Sequence, residues 1–225
     1  MPTIPGGAVN VHGDVDGTTS TAVDDALNKL GVTDSTDTFD VISASSTLPS
    51  GSDFAILTAG VDSVTGSADA NFVIGNSNNN MVDGASGADT LFAAAGSDTI
   101  DGGAENDVVY GGSDGDSVVG GAGDDVLFGN EGSDTLVGGL GDDQMWGGQG
   151  DDIVILGDDD TGYGGVGADT VSGDVNDNIA YGNQDNDLVD GGNGDDSLFG
   201  GKGADSVVGG DGSDEIHGNA GNDTL

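Results

Sequence analysis

Aspartate returns in this chain at a fixed interval. Asp89, Asp98, Asp107, Asp116, Asp125, Asp134, Asp143 and Asp152 stand nine residues apart. After one eight-residue step the series resumes with Asp160, Asp169, Asp187, Asp196, Asp205, Asp214 and Asp223, and Asn71, Asn80 and Asn178 fill three further places in the same register. Carboxylates stacked on one another repel unless a cation sits between them. The donors on offer are all oxygens, carboxylates and the carbonyls of glycine-rich turns. Such a set suits a hard cation, and a flexible multi-oxygen cage suits calcium better than magnesium. Other chemistry has little to work with: there is no cysteine, the histidines are His12 and His217, and no Gly-x-Ser-x-Gly nucleophile turn occurs. Paired carboxylates abound, but the repeat accounts for them as metal ligands, so the chain is expected not to be an enzyme.

The aspartates sit at the sixth place of a nine-residue unit, Gly-Gly-x-Gly-x-Asp-x-U-x, with U a large aliphatic residue. Gly120-Gly121-Ala122-Gly123-Asp124-Asp125-Val126-Leu127-Phe128 and Gly191-Gly192-Asn193-Gly194-Asp195-Asp196-Ser197-Leu198-Phe199 are clean copies. The register runs over residues 66–225 in eighteen blocks, of which 156–163 is one residue short and the last lacks its ninth residue. The eighth place is aliphatic or Met nearly throughout, with Gly162 and Ala180 as weak points. The fourth place is usually Gly. Its exceptions, Asp69, Asn78, Glu105, Asp114, Asp159, Asn176 and Asp185, are mostly residues that tolerate a left-handed backbone, so a positive-φ turn is expected there, with Glu105 strained. A six-residue turn and a three-residue strand bury nothing alone, but stacked copies do. If each turn reverses direction, two blocks form an eighteen-residue coil, and nine coils about 4.8 Å apart give a rod of roughly 40 Å. The short block is expected to introduce a kink or bulge and to weaken metal binding on its side.

This repeat resembles the calcium-binding β-roll of RTX proteins over residues 66–225. The resemblance implies an all-β, right-handed parallel β-roll. It also implies Ca2+ between consecutive turns on the same side, roughly a dozen ions, held by the fifteen sixth-place aspartates and the glycine-turn carbonyls. Secretion from a Gram-negative bacterium by a type I exporter, with folding outside the cell, is implied as well.

Charge agrees with that expectation. Two basic residues against 42 acidic ones give a formal charge of −40. Nucleic acid is excluded as a partner and anionic membranes are disfavoured. Without cations the chain should be expanded by self-repulsion. No apolar run is long enough for a membrane span. The first 21 residues lack the basic and apolar regions of a secretory signal peptide.

Residues 1–47 read as an N-terminal segment. Asp14 and Asp16 in the His12–Gly17 loop are solvated carboxylates or the site of a stray cation. Residues 21–30 read as a short helix bounded by Ser20 or Thr21 and by Gly31, which would act as a cap on the first coil. Residues 39–42 look like a strand. Residues 48–225 form the roll. Within it, 48–83 are degenerate coils in which Asn71 and Asn80 replace ligands, and 84–225 are the calcium-binding repeats.

On alternate blocks the ninth place holds Phe92, Tyr110, Phe128, Trp146, Tyr163, Tyr181, Phe199 and His217, pointing outward on one face. The first seven, Phe92 to Phe199, are an internal stacking ladder, a docking face or a sugar-binding platform. The expected function is a structural one: an extracellular protein that self-assembles into a surface layer or filament in a calcium-dependent way. Its partners would be copies of itself, joined head to tail or laterally, or a cell-surface polysaccharide. The head-to-tail expectation rests on the last block stopping at Leu225, with residues 1–65 of one subunit covering residues 205–225 of the next. The alternative is a repeat module of a larger type I-secreted adhesin, toxin or enzyme.

Overall fold

The computed structural model describes residues 10–11, 38–42, 46–48, 50–51 and 54–225. One offset governs the pairing. From Phe54↔Phe72 to Leu198↔Ile216, each strand pairs in parallel with the strand eighteen residues on, and seventeen on across the short block. Successive strands fall alternately into two parallel sheets, one of twelve strands and one of ten among the described residues. The larger sheet contains Phe72–Ile74, Val108–Ser113, Val126–Glu131, Gln144–Gln149 and Glu215–Gly221; the smaller contains Met81–Asp83, Ser117–Ala122, Ile153–Ile155 and Ser206–Asp211. The result is the expected parallel β-roll of about nine turns. Among the described residues there is no helix, and none long and apolar enough to cross a membrane. The expected helix over 21–30 and the loop with Asp14 and Asp16 lie outside the described residues.

Both sheets reach back before the recognisable repeats. Thr38–Ile42 pairs with Phe54–Leu57, Ser46–Thr47 with Ser63–Thr65, and Asn10–Val11 with Thr38–Ile42. The expected strand at 39–42 is therefore present, and the degenerate coil from residue 48 is a working coil, with Leu48, Ala55, Leu57, Val61 and Val64 buried.

The core is two single files of eighth-place side chains. Val73, Leu91, Val109, Leu127, Met145 and Leu198 come from one sheet, and Val82, Ile100, Val118, Leu136, Val154 and Val189 from the other. Each burial is worth about 1.5–3 kcal/mol. Two per coil are few against the entropy of ordering eighteen residues. Hydrogen bonds between coils, ring stacking and the turns must supply the rest.

The turns explain the second glycine. Gly121 has φ +115°, and a Cβ there would run into the carbonyl of Gly103 in the preceding coil. This positive-φ second place was not expected; Ala85, Ala94, Asn130, Asn183 and Asn219 adopt it too. The expected positive φ at the fourth place holds for most glycines there and for Glu105 (φ 72°), Asp114 and Asp185. The carboxylate of Glu105 accepts the N–H of Gly87 at 2.6 Å, which offsets its strain. Asp69, Asn78, Asp159 and Asn176 depart from the expectation and keep negative φ. In three of those turns the second residue is Ser67, Asn76 or Asp174, whose side-chain oxygen accepts the N–H of the fourth residue at 3.1, 2.8 and 3.1 Å. That local bond shapes the turn without a left-handed residue.

The short block brings no kink into the sheet. Gln144↔Thr161, Met145↔Gly162 and Trp146↔Tyr163 stay in register, as do Gly162↔Ala180 and Tyr163↔Tyr181. The residue is lost from the turn, where Asp160 N–H donates to the Asp158 carbonyl at 2.8 Å. The gap left by Gly162 is filled by Leu156, which is 1% exposed. Its Cδ2 stands 2.6 Å from where a Cβ on Gly162 would be.

Candidate metal centre

The sixth-place residues form two rows, one along each edge of the roll. The first runs Asn71, Asp89, Asp107, Asp125, Asp143, Asp160, Asn178, Asp196 and Asp214, each just ahead of a strand of the larger sheet. The second runs Asn80, Asp98, Asp116, Asp134, Asp152, Asp169, Asp187, Asp205 and Asp223, ahead of the smaller sheet. From Asp89 to Asp205 the aspartates are only 1–4% exposed, while Asp214 and Asp223 in the last coil are half-buried.

Each row is threaded by one bond type. The main-chain N–H of a sixth-place residue donates to Oδ1 of the next one along. Asp89 donates to Asp107 and Asp107 to Asp125, both at 2.7 Å; in the other row Asp98 donates to Asp116 at 2.8 Å and Asp116 to Asp134 at 2.7 Å. The pattern reaches Asp214 and Asp223 at 3.2 and 3.1 Å. One oxygen of every carboxylate is thereby fixed.

The other oxygen is not. Oδ2 of Asp89, Asp98, Asp107, Asp116, Asp125, Asp134, Asp143, Asp152, Asp169, Asp187, Asp196 and Asp205 is buried with no hydrogen-bond partner. A buried carboxylate oxygen without a partner is costly, and a column of them more so. Burial pushes Asp89, Asp107, Asp116, Asp143, Asp152 and Asp187 up to about 7, against the N–H bond from the preceding coil and helped by neighbouring carboxylates. Asp98, Asp125, Asp160 and Asp169 rise to about 6 with burial again the largest cause, and Asp134 and Asp196 are raised as well.

The first glycine of the unit keeps room for these oxygens. A Cβ on Gly120 would stand 2.5 Å from Asp125 Oδ2 and 2.6 Å from the Gly138 carbonyl of the next coil. A carboxylate oxygen and a main-chain carbonyl from consecutive coils thus border one space. No three His, Cys, Asp or Glu groups cluster among the described residues. A cation here would therefore be shared between carboxylates and carbonyls, the hard-oxygen donor set suited to calcium. The residues fit the ion.

One expected ligand differs. Asp160 Oδ2 accepts the N–H of Gly157 at 2.6 Å, so the short block spends on a main-chain bond the oxygen that other turns leave open. Asn178 sits next in the same row and carries an amide.

The aromatic column is a stack. Phe92, Tyr110, Phe128, Trp146, Tyr163, Tyr181, Phe199 and His217 follow one another at centroid separations of 4.5–5.4 Å and interplanar angles of 1–14°. It extends to two rings outside the ninth-place column. Phe72, a seventh-place residue, lies 5.4 Å from Phe92 and 4.8 Å from Phe54. Sequence reasoning missed them because the nine-residue column holds Ile74 there, and only the outward pointing of the seventh place marks Phe72.

A model of the RTX calcium-binding nonapeptide repeat matches residues 50–82, 83–118, 119–154, 128–161, 155–189 and 190–225. No curated protein and no solved structure matches the chain.

Proposed function

Since this chain belongs to the RTX calcium-binding repeat family, we propose that it is an extracellular structural protein whose roll forms when calcium enters two rows of turn aspartates. The observation that carries this reading is the pair of rows of buried Oδ2 atoms without partners. Asp107 with Asp125, Asp116 with Asp134, and their equivalents along each row would hold ions between consecutive coils, aided by carbonyls such as that of Gly138. The bound ions supply charge neutralisation, which the thin core cannot replace. Extracellular calcium is in the millimolar range in which weak modular sites fill, so folding would follow secretion from a Gram-negative cell. The role is structural, without catalysis.

Self-association, end to end or laterally, is the finer part of the proposal. Support for it comes from the smaller sheet, whose outer face exposes Ile153, Ile155 and Val208 at 44%, 39% and 47% on a molecule of charge −40. The aromatic column offers a polysaccharide little to stack on, because the ring faces are turned to each other.

Circular dichroism tests the calcium reading. We expect low β-content in chelator and a large gain at millimolar calcium; equal β-content in both would overturn it.

A further inference from the structure

The roll contains turns of a second kind, closed by their own side chains. In the turn 66–71, Asn71 Oδ1 accepts the N–H of Ser67 at 2.7 Å and its amide donates to Ser67 Oγ at 3.2 Å. Ser67 Oγ also accepts the N–H of Asp69 at 3.1 Å. The turn 75–80 repeats the design with asparagine in both places. Asn80 Oδ1 accepts the N–H of Asn76 at 2.9 Å, and Asn76 Oδ1 accepts the N–H of Asn78 at 2.8 Å. The Asn76 amide reaches back to the carbonyls of Thr58 and Val61 at 3.1 and 2.7 Å, tying this coil to the one before. Neither turn buries a carboxylate, and each places a neutral amide where other turns have a partnerless anionic oxygen. A cation has nothing to neutralise there, so these two turns do not fit the ion.

These turns lie on opposite edges of one coil, 66–83, a combination that occurs once among the described residues. The other closed pair, at Asp160 and Asn178, lies on one edge only. Across from it Asp152, Asp169 and Asp187 keep partnerless oxygens. Before coil 66–83 the described residues bury no carboxylate either, and they contribute Leu48, Phe54, Ala55, Leu57, Val61 and Val64 to the core. The Phe54–Phe72 rings stack at 4.8 Å with an interplanar angle of 7°. Coils 48–83 therefore combine an apolar core with neutral turns that satisfy themselves.

We propose that coils 48–83 fold without calcium and serve as the template on which the calcium-dependent coils stack, in order from residue 84 onward. The inference rests on the calcium reading above and adds a direction to it. The template has two donors aimed at the first ion-dependent turns: Asn71 N–H meets Asp89 Oδ1 and Asn80 N–H meets Asp98 Oδ1, both at 2.6 Å. The same bond links every later pair of turns, at 2.7 Å from Asp89 to Asp107 and 2.8 Å from Asp98 to Asp116, so the template presents to the first ion-dependent turns the donors that each later coil presents to the next.

Hydrogen exchange on the full-length chain in chelator, read by segment, tests the template. Amides of the strands Phe54–Leu57, Ser63–Thr65, Phe72–Ile74 and Met81–Asp83 should exchange ~10-fold or more slowly than unstructured chain, while those from Thr99 to Asp211 exchange freely until calcium is added. If no segment is protected in chelator and calcium protects them all, the template falls and the calcium reading stands. If every segment is protected in chelator, both fall. A double variant, Asn71→Asp with Asn80→Asp, should lose the early protection in chelator and regain it in calcium. Asn178→Asp should leave that protection unchanged. Early protection that survives the double variant in chelator, or is lost in Asn178→Asp, would overturn the role given to the neutral turns.

Discussion

Asp125 is pulled three ways. Burial disfavours its charge, the Asp107 N–H on Oδ1 favours it, and the neighbouring Asp124 disfavours it again; the balance lifts it to about 6. Its relatives at about 7 lie still further above the ordinary value near 3.8. The folded, calcium-free form holds more protons than the unfolded chain, so these groups stabilise it fully below pH about 4, and that stability is lost as pH rises through 6–7. In chelator, lowering the pH from about 8 to about 5 should therefore raise the β-content in circular dichroism, with protons standing in for calcium. With calcium present, the apparent affinity should fall over the same interval as protons compete. A calcium-free chain whose β-content is flat across this range would contradict the assignment. The first glycine is equally exposed to test. In Gly120→Ala the new Cβ meets Asp125 Oδ2 and the Gly138 carbonyl. Overpacking of ~1–3 kcal/mol should raise the calcium midpoint about tenfold; an unchanged midpoint in a calcium titration would show that the space is not used.

The coil, as an element, was legible because a nine-residue period leaves few choices. A column of aliphatics from Val73 to Ile216 forces the strands to face inward, and an eighteen-residue repeat then sets the parallel register. The two rows of buried aspartates were legible for the same reason. What the period did not carry was compensation between columns. Leu156 occupies a first place, normally glycine, and its role appears only when its side chain is seen filling the void beside Gly162. Likewise the coupling of Asn71 to Ser67 and of Asn80 to Asn76 is a pairing of the sixth place with the second, which a column-by-column reading passes over. The expected kink failed because a deletion inside a turn can be taken up by a tighter turn, whereas one inside a strand would have to shift the ladder. Leu156→Ala should accordingly cost about 2–5 kcal/mol, as for a buried leucine in a rigid core. Denaturant unfolding in saturating calcium measures this; a cost below ~1 kcal/mol would show that the site collapses around Gly162.

At the scale of the molecule, charge opposes both folding and association. A formal charge of −40 on 225 residues keeps copies apart at long range. On the proposed reading, calcium in the two rows would remove part of that barrier by neutralising the aspartates that the roll brings together. The same folding step creates the outer face of the smaller sheet, where Val137 of one strand pairs with Ile155 of the next and Ile155 with Ser172. Below about 0.1 M salt the residual like charge of two rods reaches beyond 10 Å, whereas higher salt confines it to contact range. Lateral association should therefore require calcium and strengthen with sodium chloride, the reverse of an ion-paired interface. Light scattering in calcium at rising salt should show masses above the monomer value of 21.8 kDa. Ile155→Lys, placed at the end of the Val119–Val137–Ile155 run, should return the protein to monomer while leaving its calcium-induced circular dichroism unchanged. A wild-type particle that stays at 21.8 kDa at high concentration, in calcium and at every salt, would end the self-assembly reading and leave a single calcium-stiffened rod.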